Sequence, residues 1–373
     1  DRRRSWRPRR DPPGGRRMRR QVTVCYKAFI AGAVALAVAV LANGCGGGDQ
    51  KPTSVVLVTH DSFVVSDDVK EAFERESGLR LRILQSGDAG ELLSKALLTA
   101  GNPQGDVLFG VDNNLLSRAL EGDLFDAYES PALEGIDERY VLDPEHRLTP
   151  IDHGEVCLNY DKAWFAEREI PPPSSLDDLV QPRYEDLLVV ENPATSTPGL
   201  AFLLATVAHF GEDGWGDYWR ALRTNGVLVV DGWEEAYSTR FSGAAGSSGN
   251  RPIVVSYASS PPAEVIFRTP KPAEAPTAVV TSSCFRQIEL AGVLRGARNE
   301  DGARQLVDFM LSKRFQEDVP LSMFVFPVLP SAQLPPEFEK FAVVPEAPLE
   351  LSPEEIGVNR DRWVKEWTAI VLR

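Results

Sequence analysis

The pattern of apolar and polar positions begins to repeat at Ser54 to Thr59, an apolar run closed by the polar turn His60-Asp-Ser-Phe63. A short apolar run bounded by turn residues reads as a buried strand. After Ser66 the period changes, with Val69, Ala72 and Phe73 spaced as on one face of a helix that Gly78 ends. Leu79, Leu81 and Ile83 alternate with Arg80 and Arg82 as a second strand. Ser86 to Glu91 then form a loop entering a helix, Asp88 and Glu91 standing at capping-box spacing, and Asp106 to Val111 is a third strand before Asp112-Asn-Asn114. Strands and helices alternating at this spacing predict an α/β fold, a parallel sheet with helices on its faces. Ligand sites of such sheets lie beyond the carboxyl ends of strands, which makes His60-Asp61, Ser86 to Gly90 and Asp112 to Asn114 one candidate cleft wall.

A second αβ unit follows. Ile151 to Asp161 reads as a strand, and Leu187 to Val190 as another that leads through Thr195-Ser-Thr197 into a helix, with Thr197 as N-cap and Pro198 at the first helical position. A hydroxyl-lined helix start is a ready anion site, because the first-turn N–H groups lack intrahelical partners; plain capping explains the same residues. Ser256-Tyr-Ala-Ser-Ser-Pro-Pro262 repeats the theme after the strand Ile253 to Tyr257. Cys284 to Gly292 is expected as a strand returning beside Val156 to Tyr160. Residues 300–318 are expected as one amphipathic helix, Pro320 to Pro330 as an extended segment, and Ser352 to Leu372 as a terminal helix with Trp363 and Trp367 on one face.

Charge is distributed unevenly. The 373 residues carry a net −14, yet residues 1–20 hold ten Arg against Asp1 and Asp11, so the remainder is close to −22. That acidity argues against a nucleic-acid partner and mildly favours cationic ligands. Arg19, Arg20 and Lys27 precede the uncharged run Ala28 to Ala42 and then Asn43-Gly44-Cys45, the pattern of a secretory signal with small residues before the cleavage point. Residues 1–17 contain no Met, and Met18 is the expected start, so residues 1–44 are assigned to over-called upstream sequence plus signal. Residues 45–53 read as a flexible tether. With Cys25 in the signal and Cys45 at its end, Cys157 and Cys284 remain for an oxidising compartment, where a disulfide between them is expected, with two free thiols as the alternative. No Cys-x-x-Cys or Cys/His ligand spacing exists, and neither a metal nor a cofactor is expected.

The signal ending is similar to a bacterial lipobox, which implies lipidation of Cys45. The mature chain resembles the substrate-binding components of bacterial ABC importers of the periplasmic binding protein type II class, and among them the thiamine-binding proteins. The residues that carry this are His60 to Phe63, Gly110-Val-Asp-Asn-Asn-Leu-Leu116, Asn159-Tyr-Asp-Lys162, Thr195 to Leu200, Gly232-Trp-Glu-Glu-Ala-Tyr237, Ser256 to Pro261 and Trp363 to Trp367. The resemblance implies a two-lobed Venus-flytrap of two parallel-rich sheets joined by crossing hinge strands. Residues 54–152 and 285–373 would form one lobe, residues 153–284 the other. It also implies a monomeric receptor that captures thiamine, its phosphate or its diphosphate and delivers it to an ABC permease, held as a lipoprotein outside the cytoplasmic membrane.

Carried over by position, the resemblance places Asp88 and Ala89 on the ligand from the first lobe and Ser196 and Thr197 from the second. Trp233 and Tyr257 would be aromatic walls, Ala258, Ser259 and Ser260 the remainder of that rim, and His60 a rim candidate. Three positions depart from the pattern, since His60, Ala263 and Phe324 stand where the family can place Tyr, Tyr and Trp. A same-fold receptor for ferric ion, polyamine or phosphonate is one alternative, although Tyr257 has no Tyr neighbour and no set of cleft carboxylates is evident. An exported hydrolase is another, but the chain has no Gly-x-Ser-x-Gly, no His-Glu-x-x-His and no P-loop. His146, His153 and His209 read as loop or packing residues. Replacing Cys45 by Ser is expected to release the protein into the medium or leave its signal uncut, as cell fractionation and mass measurement will show. Normal processing with full membrane retention would contradict the lipid anchor.

Overall fold

A computed structural model describes residues 52–373. The expected signal, Cys45 and most of the tether lie outside the described residues. β1 (Ser54–Thr59) runs parallel between β2 (Arg80–Gln85) and β3 (Val107–Asp112), and a two-residue β4 (Phe125–Asp126) follows. Beyond the long β5 (Thr149–Asp161), β6 (Leu188–Glu191) runs parallel between β7 (Leu228–Val230) and β8 (Ile253–Tyr257). β9 (Thr277–Leu294) and β10 (Phe326–Pro327) complete the set. The two parallel groups are the ends of one hydrogen-bonded path, β2-β1-β3-β9-β5-β8-β6-β7, in which β9 and β5 are the antiparallel middle. The molecule is thus a two-lobed α/β fold with a curled mixed sheet flanked by helices. Among the described residues no helix is long and apolar enough to cross a membrane.

The pairing of β5 with β9 differs from the expected register. Thr149 to Val156 face Ala291 to Phe285, and Leu158 to Asp161 face Val280 to Thr277, so Cys157 alone stands against residues 281–284. The physical reason is a bulge: Ser283 Oγ accepts from the Leu158 N–H at 2.9 Å and donates to the Val280 carbonyl at 2.7 Å, satisfying groups the ladder leaves over. Cys157 and Cys284 close this bulge as a disulfide with Cα atoms 4.2 Å apart. Consequently the Cys284 side of β9 lies beside Thr149 to Val156, and Val156 to Tyr160 pair instead with residues 277–280 and with β8.

Helix boundaries also moved where cap chemistry decided them. Ser196, not Thr197, is the N-cap of helix Thr197–Thr224, because Ser196 has extended dihedrals and its hydroxyl accepts from the Gly199 N–H. Gly211, at φ 70°, kinks this helix, whose first eleven residues are buried on every side. The single helix expected over 300–318 is two, Glu300–Met310 and Lys313–Ser322, since Ser312 caps the second through the Phe315 N–H. That second helix contains Pro320, so the extended segment expected from Pro320 is reduced to the stretch around β10, which pairs with β5.

The terminal helix Pro353–Val371 buries Trp363 and Trp367 completely. Trp367 meets Trp219 edge-on at 5.4 Å, Trp363 Nε1 donates to Glu212, and Arg223 donates to the Ile370 carbonyl. The end of the chain therefore braces the helix that begins at the cleft, while Gly357 lies against Ser117 of the other parallel group. The disulfide closes a loop of 127 residues, long enough for chain entropy to make it a main stabilising link. Replacing Cys157 and Cys284 together by Ala is expected to cost ~2–4 kcal/mol in urea unfolding. An unchanged midpoint and slope would contradict that role.

Candidate ligand cleft

The helix start at Thr197 is built by the turn before it. The Asn192 carbonyl accepts from the Thr195 and Ser196 N–H groups, and the Asn192 side chain accepts from Ala194 N–H at 3.0 Å. Gly199 lets the first helical turn rest directly on the end of β6, where a Cβ would sit 2.5 Å from the Glu191 carbonyl oxygen. Gly90 does the same across the cleft, its missing Cβ leaving room for the Thr195 carbonyl, to which the Glu91 N–H donates. Asp88 joins three segments here. Its Oδ1 accepts from Ala89 N–H at 2.6 Å and Thr197 N–H at 3.4 Å, and its Oδ2 from Trp233 N–H at 3.2 Å.

A cavity of about 320 Å³ opens beside this junction. His60, Asp88, Ala89, Thr197, Trp233, Tyr257 and Ser260, all expected at the ligand, line it. Ser196, Ala258 and Ser259 stand behind the lining, where Ser196 serves as a cap and Ser259 Oγ donates to the Phe324 carbonyl at 2.6 Å. Ser260 does not cap its helix; its hydroxyl closes the turn, bonded to Ser256 Oγ and to the Tyr257 N–H. Trp233 is fixed by Nε1 donating to Ser256 Oγ at 2.9 Å and stacks on Tyr237 at 5.1 Å. Tyr257 donates to Gln287, which in turn donates to Thr197 Oγ1.

Reading the sequence missed Tyr237, Glu264, Phe267 and Glu289, which also line the cavity. Tyr237 lay within a quoted motif, but Glu289 had only one signal, an acid between Ile288 and Leu290 in an otherwise apolar run. The three departures noted above converge: His60, Ala263 and Phe324 are all lining residues. The charged lining residues are Asp88, Glu234, Glu264, Glu289 and His60, and no Lys or Arg is among them. Among the described residues no group of His, Cys, Asp or Glu could hold a metal ion.

This architecture has relatives. Residues 102–347 match the model of the bacterial extracellular solute-binding protein family. A thiamine-binding periplasmic protein of Salmonella typhimurium is 30% identical over 331 residues, covering 87% of this chain and 94% of that protein. Its Escherichia coli namesake matches at the same identity and coverage. The chain belongs to the bacterial extracellular solute-binding protein family. Among solved structures, a periplasmic thiamin binding protein superposes with a TM-score of 0.76 at 28% identity, covering 88% of this chain and 98% of that one. Members of this family bind solutes outside the cytoplasm, and the cleft described above is where this fold has room for one.

The floor of the cleft concentrates buried acids. Glu289 on β9 is the cross-strand partner of Asp112 on β3 and of Asp152 on β5, so three carboxyls lie in a row across adjacent strands. Burial, reinforced by Glu289, pushes Asp112 up to about 8 against the pull of hydrogen bonds from Asn114 and Leu115. Burial and Glu289 likewise push Asp152 well above the carboxylate range, burial alone does most of this for Glu191, and Asp88 is raised by burial despite its N–H donors. Burial lowers His60, but Glu289 first, then Asp88 and Asp61, outweigh it, and the net shift is upward. His153 goes the other way, to about 3, through burial between Tyr140 and Phe326 and the nearby Arg286 and Arg139.

The signs combine into one window. A carboxyl or His raised by folding holds extra protons in the native state, so its stabilisation fades as pH rises; His153, lowered by folding, acts oppositely but only below about 6.5. Between about pH 6.5 and 8.5 the ligand-free protein is therefore expected to lose stability, its melting temperature falling, and Asp112→Asn should flatten that slope. A melting temperature that rises across this interval in a pH series would contradict the buried-acid assignment.

Proposed function

We propose that this protein is an extracytoplasmic receptor that captures thiamine, free or phosphorylated, and delivers it to an ABC permease while anchored through lipidated Cys45. The carrying observation is the cavity itself, walled by Trp233, Tyr237, Tyr257, Phe267 and Phe324 and lined by four carboxylates with no Lys or Arg. A thiazolium ring is a flat cation, and an aromatic face attracts such a ring by ~0.5–2 kcal/mol. The names of the Salmonella and Escherichia relatives support the same ligand. We take residues 54–152 and 285–373 as one lobe and 153–284 as the other, closing about β5 and β9, with Asp88 meeting Thr197 and Trp233 in the closed form. Asp88 already occupies the N–H groups of the helix starts at Ala89 and Thr197, so a phosphate tail would have to lie elsewhere along the cleft.

The cleft carboxylates also favour a second reading, an aliphatic polyamine, for which aromatic walls and acids serve equally well. Calorimetry on the soluble form lacking residues 1–45 separates the two. Thiamine is expected to bind and putrescine to leave no heat; the reverse would transfer the assignment to polyamines. Trp233→Ala is expected to weaken thiamine and its phosphates alike by about 1–3 kcal/mol, roughly 5- to 150-fold. No heat with thiamine or either phosphate at ~1 mM, where binding is worth only about −4 kcal/mol, would remove the thiamine assignment.

A further inference from the structure

Four carboxylates line the cleft, and their surroundings separate them. Asp88 accepts three backbone N–H bonds. Glu264 accepts from the Tyr237 hydroxyl at 2.8 Å and pairs with Arg268. Glu234 is exposed to solvent. Glu289 is 7% exposed, no Lys or Arg pairs with its side chain among the described residues, and Asp152 stands within side-chain hydrogen-bond reach of it. Its charged neighbour is His60, whose Nε2 stands 3.4 Å from Glu289 Oε1 without closing a hydrogen bond.

The fold holds His60 at that spot. It follows β1 directly, its ring lies against Phe109 at 5.5 Å, and Gly110 keeps the space beside it open, since a Cβ there would sit 2.6 Å from His60 Cδ2. The groups that face His60 are Glu289 from β9, Asp88 from the helix start and Asp61 from its own turn. Tyr257 on β8 faces the same acids, and Asp152 and Asp112 stand on either side of Glu289 in the sheet. Every charged group around the imidazole is thus an acid.

We propose that Glu289 is the residue that selects positive charge in this cleft, and that protonated His60 is its resident counter-ion, replaced on binding by the ligand's own cation. The proton leaves His60 for the solvent, so the bound cation takes the place of the imidazolium and the charge balance beside Glu289 is unchanged. This rests on the thiamine reading and adds to it a charge filter and a pH dependence. Because binding releases the histidine's proton, acid opposes binding: affinity rises with pH through the titration of His60 and levels off above it.

Calorimetry of wild-type protein with thiamine, in two buffers of different ionisation heat at about pH 6 and about pH 8, counts the protons. We expect up to one proton released per thiamine at the lower pH, fewer at the higher, and an affinity that increases at least ~5-fold between them. His60→Gln should abolish the proton release. Glu289→Gln should weaken thiamine at least ~10-fold while leaving a neutral thiophene analogue of thiamine within ~2-fold, with circular dichroism confirming its fold. If Glu289→Gln does not fold, the wild-type proton count decides alone. Thiamine binding without proton release, or with Glu289→Gln weakening both ligands equally, overturns the charge filter and leaves the thiamine reading standing. Absence of thiamine binding by the wild type overturns both.

Discussion

One carboxylate draws the cleft together. Asp88 accepts N–H groups from its own helix start, from the helix start of the other lobe and from the turn carrying Trp233, so backbone dipoles from three segments converge on one charge. A bare carboxylate in that half-buried place would be costly, and the donors in turn would lack acceptors if it were removed. Gly90 and Gly199 follow from this arrangement, because each permits a backbone approach that a Cβ would block. With Asp88 in place the helix starts no longer present an empty anion site. The space left beside them is bounded by rings and acids, which suits a cation.

The two parallel groups stay attached because β5 and β9 run through both. The larger break in their pairing falls at Cys157, and there the chain adds a covalent link and a serine that bonds to both sides of the gap. A bulge increases local twist, and a twist at the centre of the path is what curls the sheet ends toward each other. Asp152 and Glu289 lie on these same strands, a few residues from the bulge. The strands that join the lobes therefore also carry the acids of the cleft floor.

How much of this was legible in the sequence depended on the range of the interaction. Ser54 to Thr59, Leu187 to Val190 and Ile253 to Tyr257 could be read because a buried parallel strand needs an unbroken apolar run wherever it sits. Helix ends were harder. Ser312 begins a new helix inside an amphipathic pattern that continues on either side of it, and Ser196 and Thr197 both carry a hydroxyl suited to the same cap. Trp233 and Tyr257 were found by resemblance, while Glu289 was not found at all. Its role depends on Asp112, Asp152 and His60, residues 137 to 229 positions earlier in the chain, and no local pattern encodes a partner at that distance.

The acids on the floor set a condition on whatever the cleft holds. Three carboxyls in a row cannot all be ionised at close range in a dry site without a cation or protons among them. Asp112, pushed up to about 8, meets that condition by retaining its proton into the neutral range, burial and Glu289 push Asp152 in the same direction, and the proposed imidazolium of His60 stands next to Glu289. Protons and a cationic ligand are then alternative ways of neutralising the same acids. A neutral solute would have to displace neither and would gain nothing from them. With the charge filter proposed above, the cleft would discriminate by charge in addition to matching rings against its aromatic walls.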